Sequence, residues 1–207
     1  MQVHTFERGA SPAVAPLLLL HGSDGSEADL LPLAHELAPG ASRLALRGRV
    51  RLAGGYAHVR RFPDRRVDVA DLEVAVHELA SFIEASRARS ALHAPPVAVA
   101  YSNGAVLAAA LLLRRPGLLG GAILLRPLLP FPDDPPRPIG PTPVLVVAGE
   151  QDERRSPGDG ERLAEHLRLA GAQVTSRTLP IGHAIAPEDL EVARAWLAQT
   201  SPVVEWR

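Results

Sequence analysis

Short apolar runs alternate with longer amphipathic segments along most of this 207-residue chain. This alternation limits the fold more than any other feature, because strands that alternate with helices build a mostly parallel sheet with helices on both faces. The predicted strands are 14–20, 43–46, 97–101, 121–125, 144–148 and 174–179, and the predicted helices are 26–37, 67–87, 103–114, 157–170 and 187–199. The sequence therefore predicts a single α/β domain over residues 1–207.

Two segments lack this pattern. Residues 47–66 are rich in Arg and Gly and are interpreted as a loop. Residues 127–143 are dense in proline, which excludes a helix or a central strand there. No helical insertion separates strand 121–125 from strand 144–148, so we expect no large cap domain.

The composition excludes several kinds of site and partner. The chain has no Cys and its 22 basic residues are all Arg, which excludes a cysteine nucleophile, disulfides and a P-loop lysine. A net charge of -1 without a basic stripe predicts no nucleic-acid partner. The longest apolar runs, such as 105–113, are too short for a membrane span, and the N-terminus is charged where a signal peptide is apolar. We therefore expect a soluble, cytoplasmic protein.

Chemically useful residues follow four of the predicted strands. The loop HGSDG follows strand 14–20, SNG follows 97–101, GEQD follows 144–148, and PIGH follows 174–179. Ligands bind beyond the carboxyl ends of the strands in such sheets. A Gly-rich loop, a serine, an acid and a histidine are therefore expected to meet at one edge of the sheet.

Ser102, Asp152 and His183 are the candidate catalytic residues at that edge. A serine becomes a good nucleophile when a base removes its proton, histidine is such a base near neutral pH, and a carboxylate orients the histidine. The chain order Ser, Asp, His is that of the α/β-hydrolases. The stretch AYSNG resembles the G-x-S-x-G nucleophile elbow, with Ala100 at its first position.

The stretches LLLLHGSDGSEADLLPLAHEL, AYSNGA, GEQD and GHAI together resemble the phospholipase/carboxylesterase family of small α/β-hydrolases, in its bacterial carboxylesterase branch related to acyl-protein thioesterases. The resemblance spans roughly residues 15–198 and implies an α/β-hydrolase fold. It also implies that Ser102 is the nucleophile, Asp152 the orienting acid and His183 the base. The implied oxyanion hole uses the backbone N–H groups of Ser23 and Asn103. Asn103 opens a predicted helix, where backbone N–H groups are free and the helix dipole is positive.

Plainer interpretations exist for each of these residues. Ser102 could be a helix N-cap, His183 a turn residue, and Glu150 or Glu153 could replace Asp152 as the acid. In the family, the histidine at the position of His21 is a structural part of the oxyanion loop. His35, His77 and His166 fall in predicted helices without an H-E-x-x-H pair, so no metal and no cofactor are predicted.

The predicted function is a serine hydrolase that cleaves carboxylic esters or thioesters of small to medium acyl chains through an acyl-enzyme. The alternative is a non-catalytic protein that binds a small ligand on the same fold. Candidate substrate contacts are Arg47, Arg61, Phe62 and Leu128, for which solvated or ordinary packed positions are the alternative. The predicted partner is a small-molecule ester, and an exposed apolar edge would permit a homodimer.

Overall fold

The structure is a computed structural model that describes residues 3–89 and 92–200. Within these residues the strands are β1 (His4–Glu7), β2 (Leu17–Leu20), β3 (Arg43–Leu46), β4 (Val50–Arg51), β5 (Tyr56–Ala57), β6 (Val97–Tyr101), β7 (Gly121–Leu125), β8 (Pro143–Gly149) and β9 (Gln173–Leu179). Seven of them form the central sheet in the order β1-β3-β2-β6-β7-β8-β9. Strand β1 is antiparallel to β3 and the other pairs are parallel. Strands β4 and β5 form a separate antiparallel pair.

The helices cover both faces of this sheet, as the sequence predicts. They are α1 (Leu31–Leu37), α2 (Val69–Ala88), α3 (Asn103–Arg114), α4 (Asp159–Leu169) and α5 (Pro187–Gln199). The larger buried apolar cluster takes side chains from α2, α3 and α4, and the smaller one from α1 and α5. The central strands β2, β6 and β7 contribute to both clusters, because alternate side chains of a strand point to opposite faces.

Several predicted elements match the structure residue for residue, namely strands 43–46, 97–101 and 121–125 and helices 103–114 and 187–199. The predicted helix 26–37 is wrong at its start, because α1 begins only at Leu31. The Ser26 hydroxyl donates to the Asp29 carboxylate at 2.7 Å, and the Ser26 N–H donates to it at 3.1 Å. Such local side-chain bonds compete with helix formation.

One further helix starts later than predicted, and three short strands were not predicted. Helix α2 begins at Val69 rather than at residue 67, because Asp68 is its N-cap and accepts a hydrogen bond from the Asp71 N–H. The loop predicted at 47–66 contains the short β4–β5 pair. Strand β1 was not predicted, and it lies at the edge of the sheet with exposed or half-buried residues.

The connection between β7 and β8, residues 126–142, contains no helix or strand. The expectation of a proline-rich loop without a helical insertion is therefore confirmed. Among the helices in the described ranges, none is long and apolar enough to cross a membrane.

Candidate active site

Ser102 lies at a sharp turn between the end of β6 and the start of α3. Its backbone adopts φ 51° and ψ -105°, in the left-handed region that residues with a Cβ rarely occupy. Such strain costs about 1–3 kcal/mol and is concentrated at functional sites. The Ser102 side chain makes no capping hydrogen bond to α3. The interpretation of Ser102 as an ordinary N-cap is therefore wrong.

The turn requires Gly104 but accommodates Ala100. A Cβ on Gly104 would lie 2.2 Å from the carbonyl oxygen of Leu20, because the start of α3 presses against the end of β2. Ala100 is fully buried on β6, and its methyl group packs in the larger apolar cluster. The missing glycine at the first position of the elbow motif thus does not prevent the sharp turn.

Ser102, His183 and Asp152 form a continuous hydrogen-bonded chain. The Ser102 Oγ lies 3.0 Å from His183 Nε2. On the other side of the ring, His183 Nδ1 lies 2.8 Å from each carboxylate oxygen of Asp152. Asp152 is buried, whereas the rival acids Glu150 and Glu153 are exposed. The three predicted residues therefore meet, and neither rival takes the place of Asp152.

The electrostatics keep His183 in its neutral form. Burial lowers the pKa of the imidazole below its ordinary value, although the hydrogen bond that His183 donates to Asp152 acts in the opposite direction. A neutral ring that donates through Nδ1 to Asp152 has a free lone pair on Nε2. That nitrogen can accept the proton of the Ser102 hydroxyl.

A buried guanidinium holds the loop that carries His183. The Arg126 side chain is 0% exposed and donates through Nε to the carbonyl of Gly182 and through Nη2 to that of Ala184. Both of its terminal nitrogens also bind the Asp189 carboxylate at 2.8 Å. Arg126 thereby clamps the backbone on both sides of His183. The sequence analysis did not identify this role of Arg126, since its only signal was a cation directly after a buried strand.

The Gly-rich loop after β2 lies against the serine. A Cβ on Gly22 would lie 2.7 Å from the Tyr101 ring and 3.6 Å from the Ser102 Cβ. His21 is buried, and its Nε2 accepts a hydrogen bond from the Gly48 N–H at 2.9 Å while Nδ1 lies 2.6 Å from the Gly22 carbonyl. His21 therefore ties this loop to the chain after β3, in agreement with the structural role implied for it.

Two backbone donors remain free near the serine. The N–H groups of Ser23 and Asn103, the expected oxyanion hole, have no hydrogen-bond acceptor among the residues described. The Asn103 side chain is buried, and its Oδ1 accepts from the N–H groups of His58 and Val59. Its Nδ2 donates to the Val59 carbonyl. Asn103 thus also fixes the loop that leads towards Arg61, a role that the sequence did not indicate.

Arg155 is a second cation that sequence reasoning missed. Its Nη2 donates to the Ser102 Oγ at 3.2 Å, and its Nε donates to the Arg126 carbonyl at 2.8 Å. Burial lowers its pKa to about 10, and the positive charge of Arg61 acts in the same direction. It remains protonated near neutral pH and places a positive charge beside the hydroxyl.

The four candidate substrate contacts separate into two groups. Arg61 and Leu128 line the same open cavity of about 560 Å³, which Arg155 also lines. Arg47 lies elsewhere, in an ion pair with Glu27. Phe62 is 45% exposed and does not line the cavity. Any contact of Arg47 or Phe62 with a substrate stays a prediction.

In residues 3–89 and 92–200, no cluster of three or more His, Asp or Glu side chains could hold a metal ion.

Solved structures with the same architecture are named as esterases. The carboxylesterase of Bacillus cereus is 34% identical, with a TM-score of 0.91 over 96% of this chain and 94% of its own. The carboxylesterase of Mesorhizobium loti is 31% identical, with a TM-score of 0.89 over 96% of this chain and 95% of its own. These likenesses confirm the predicted α/β-hydrolase fold.

A curated relative covers nearly the whole chain as well. MhqD of Bacillus subtilis (strain 168), a hydrolase by name, is 36% identical over 194 residues, which is 93% of this chain and 96% of MhqD. The chain belongs to the phospholipase/carboxylesterase family of α/β-hydrolases. No family model matches this α/β-hydrolase. Family membership follows instead from the full-length relative and from the esterase structures.

Proposed function

We propose that this α/β-hydrolase is a serine hydrolase that cleaves carboxylic esters or thioesters of small to medium acyl chains through an acyl-enzyme. The observation that carries the proposal is the chain from Asp152 through His183 to Ser102, with 3.0 Å between His183 Nε2 and Ser102 Oγ. The carboxylesterase names of the structural neighbours support small-molecule esters as the substrate class.

The first half of the reaction forms the acyl-enzyme. Ser102 Oγ attacks the ester carbonyl while His183 Nε2 takes the hydroxyl proton, and Asp152 stabilises the resulting imidazolium. The negative charge that develops on the carbonyl oxygen is stabilised by the backbone N–H groups of Ser23 and Asn103. The intermediate collapses when the leaving alcohol or thiol departs with the proton from His183.

The second half releases the acid. A water molecule donates its proton to His183 Nε2 and attacks the acyl carbonyl, and the oxyanion occupies the same two N–H groups. His183 then returns the proton to Ser102 Oγ as the carboxylic acid leaves. The serine and the histidine thus end the cycle in their starting protonation states.

The Ser102→Ala variant tests the nucleophile. It should lower kcat for p-nitrophenyl butyrate by about 10⁴-fold or more, because the other two residues cannot act without the nucleophile. Ser81→Ala, at an exposed serine on α2, is the matched control and should hydrolyse the ester at the wild-type rate. Equal rates for Ser102→Ala and the wild type would refute the proposal.

A fluorophosphonate probe separates catalysis from the alternative of ligand binding without turnover. An activated serine should form a covalent phosphonyl adduct that mass spectrometry assigns to Ser102. A folded sample that gives no adduct would favour a binding protein.

The homodimer and the cytoplasmic location stay predictions. Light scattering on the purified protein measures the mass in solution, and fractionation of cells measures the location. A mass near 22.0 kDa would contradict the dimer.

A further inference from the structure

Arg61 is a half-buried cation that lacks partners for most of its donors. Its Nε and Nη2 atoms are buried without any hydrogen-bond partner, and only Nη1 donates, to the carbonyl of Arg65 at 3.3 Å. Burial lowers the pKa of this guanidinium, and the charge of Arg65 lowers it further. Buried polar groups are nearly always hydrogen-bonded, so an exception of this kind calls for a physical reason.

Arg155 brings a second guanidinium to the same place. It lines the same cavity as Arg61, and it also donates to the Ser102 Oγ. Among the described residues, no carboxylate lies within ion-pair distance of either Arg61 or Arg155. Two like charges therefore lie near each other, and Arg155 joins them to the nucleophile. The negative charges of Asp152 and Asp159 act on Arg155, and that of Asp159 on Arg61, only from beyond ion-pair distance.

None of the acidic residues that line the cavity forms an ion pair with Arg61 or Arg155. Asp159 lies in a short ion pair with Arg162 and accepts the Ser156 N–H. Asp64 is paired with Arg66 at 2.6 Å. The remaining two acids of the lining, Asp133 and Glu153, are exposed, where water screens their charges.

The backbone holds Arg61 in place. Arg61 forms an isolated antiparallel bridge with Val67, and the chain between them turns back through Arg65, which adopts φ 68°. The Phe62 N–H donates to the Arg66 carbonyl at 2.9 Å within this turn. The backbone that carries the cation is thus fixed before a ligand arrives, which lowers the entropy cost of binding.

We propose that Arg61 and Arg155 bind an anionic group of the ester substrate, a carboxylate or a phosphate, next to Ser102. Of the five N–H groups that each guanidinium carries, four lack an acceptor on Arg61, three of them on the buried Nε and Nη2, and two lack an acceptor on Arg155. These donors match the paired oxygens of a carboxylate or phosphate. Leu128 and Leu129 line the same cavity and can contact the chain between the anion and the ester.

This inference rests on the proposed ester hydrolysis and names its substrate class. Arg155 connects the anion site with the ester-cleaving site, since its guanidinium both lines the cavity and contacts the nucleophile. The preferred substrates are therefore half-esters or phosphate-bearing esters rather than neutral esters of the same length.

The test compares two activated esters of similar size. Mono-p-nitrophenyl adipate carries a carboxylate, and p-nitrophenyl heptanoate replaces it with an apolar end. The wild type should have the higher kcat/KM for the adipate. Arg61→Met should lower the ratio of kcat/KM for adipate over heptanoate by about 10- to 100-fold, because it removes one charged partner. Arg168→Met, on the exposed face of α4, is the matched control and should leave the ratio unchanged.

Thermal unfolding of the same variants separates binding from a structural role. An unpaired buried cation destabilises the fold, so Arg61→Met should have an unchanged or higher Tm together with the lower ratio. A lower Tm with an unchanged ratio would show that Arg61 is structural and would overturn the inference.

Competition distinguishes the two kinds of anion. Free adipate and inorganic phosphate are added separately to the heptanoate assay at constant ionic strength. Inhibition by adipate alone supports a carboxylate, inhibition by phosphate alone supports a phosphate, and inhibition by neither overturns the inference. If the wild type hydrolyses no ester, the proposed function fails, and calorimetric binding of the two anions to wild type and Arg61→Met still decides the role of the pair.

Discussion

The Asp152 carboxylate favours the charged form of His183, whereas burial of the ring disfavours it. Burial has the larger effect, so the pKa of the imidazole lies below its ordinary value. The nearby cations Arg154 and Arg155 lower the pKa further. At neutral pH the ring is therefore available as a base.

This pKa sets the acid side of the pH profile. As pH falls through the pKa, the ring takes up a proton and can no longer accept one from Ser102, so kcat/KM should fall with an inflection below pH 6.5. Asp152→Asn should move the inflection to lower pH, since it removes the carboxylate that raises the pKa. The same variant should reduce kcat by about 10⁴-fold. An inflection above pH 6.5 in the wild type would contradict the expected direction.

At the scale of elements, β7 and α5 are joined by a buried ion pair next to the candidate active site. Arg126 directly follows β7, and Asp189 lies in the first turn of α5. The Asp189 carboxylate binds both terminal nitrogens of Arg126 and also accepts the Ala186 N–H at the start of the helix. The pair therefore fixes α5 and the His183 loop against the end of the sheet.

Arg126→Met should destabilise the fold by about 3–5 kcal/mol, because it leaves the Asp189 charge buried without a partner. It should also lower kcat at temperatures where the variant is folded, since the carbonyls of Gly182 and Ala184 lose their donor. Urea unfolding and steady-state kinetics measure the two effects.

Arg115→Met is the control for this prediction. Arg115 is paired with Glu84 on the surface, so its loss should cost about 1 kcal/mol or less. The double variant Arg126→Met/Asp189→Leu should be less destabilised than the sum of its single variants, because it removes both charges together. Equal losses for Arg126→Met and Arg115→Met would show that the buried pair does not hold the loop.

At the scale of the whole molecule, no helical cap lies between β7 and β8 above the candidate active site. The connection from β7 to β8 contains no helix, and the cavity beside Arg155 is open to solvent. Most of the residues that line it are polar or charged, and its apolar lining residues are Val67, Val69, Leu128, Leu129, Pro130 and Pro132. Such a wall can bury only a few methylene groups of an acyl chain, each worth about 0.8 kcal/mol.

The acyl-chain preference should therefore lie at short to medium lengths. In a series of p-nitrophenyl esters from acetate to palmitate, kcat/KM should rise over the first few methylene groups and then level off or fall. Assays below the critical micelle concentration keep the comparison valid. A steady rise up to palmitate would point to a longer apolar groove than the described residues form.

Within the described ranges, the sequence by itself determined the five helices, the six parallel strands of the central sheet and the chain order of the candidate catalytic residues. Residues 97–101 are uniformly apolar and residues 103–114 follow a sharp turn, so strand and helix were predicted with correct bounds. Ser102, Asp152 and His183 each follow a strand, and parallel strands have a common edge, so their meeting was also predictable. Where a side chain competed with the backbone, as at Ser26, the predicted helix start was wrong.

Only the tertiary structure decided how those residues are held and what surrounds them. The Arg155 contact with Ser102 spans 53 positions and the Arg126 contact with Asp189 spans 63. Pairs this distant depend on the order of β6, β7 and β8 in the sheet and on the paths of their loops, which local periodicity does not encode. Within the residues that the structure describes, Arg61 has no ion-pair partner, and this too is a property of packing, since the nearby sequence contains acids such as Asp64 and Asp68.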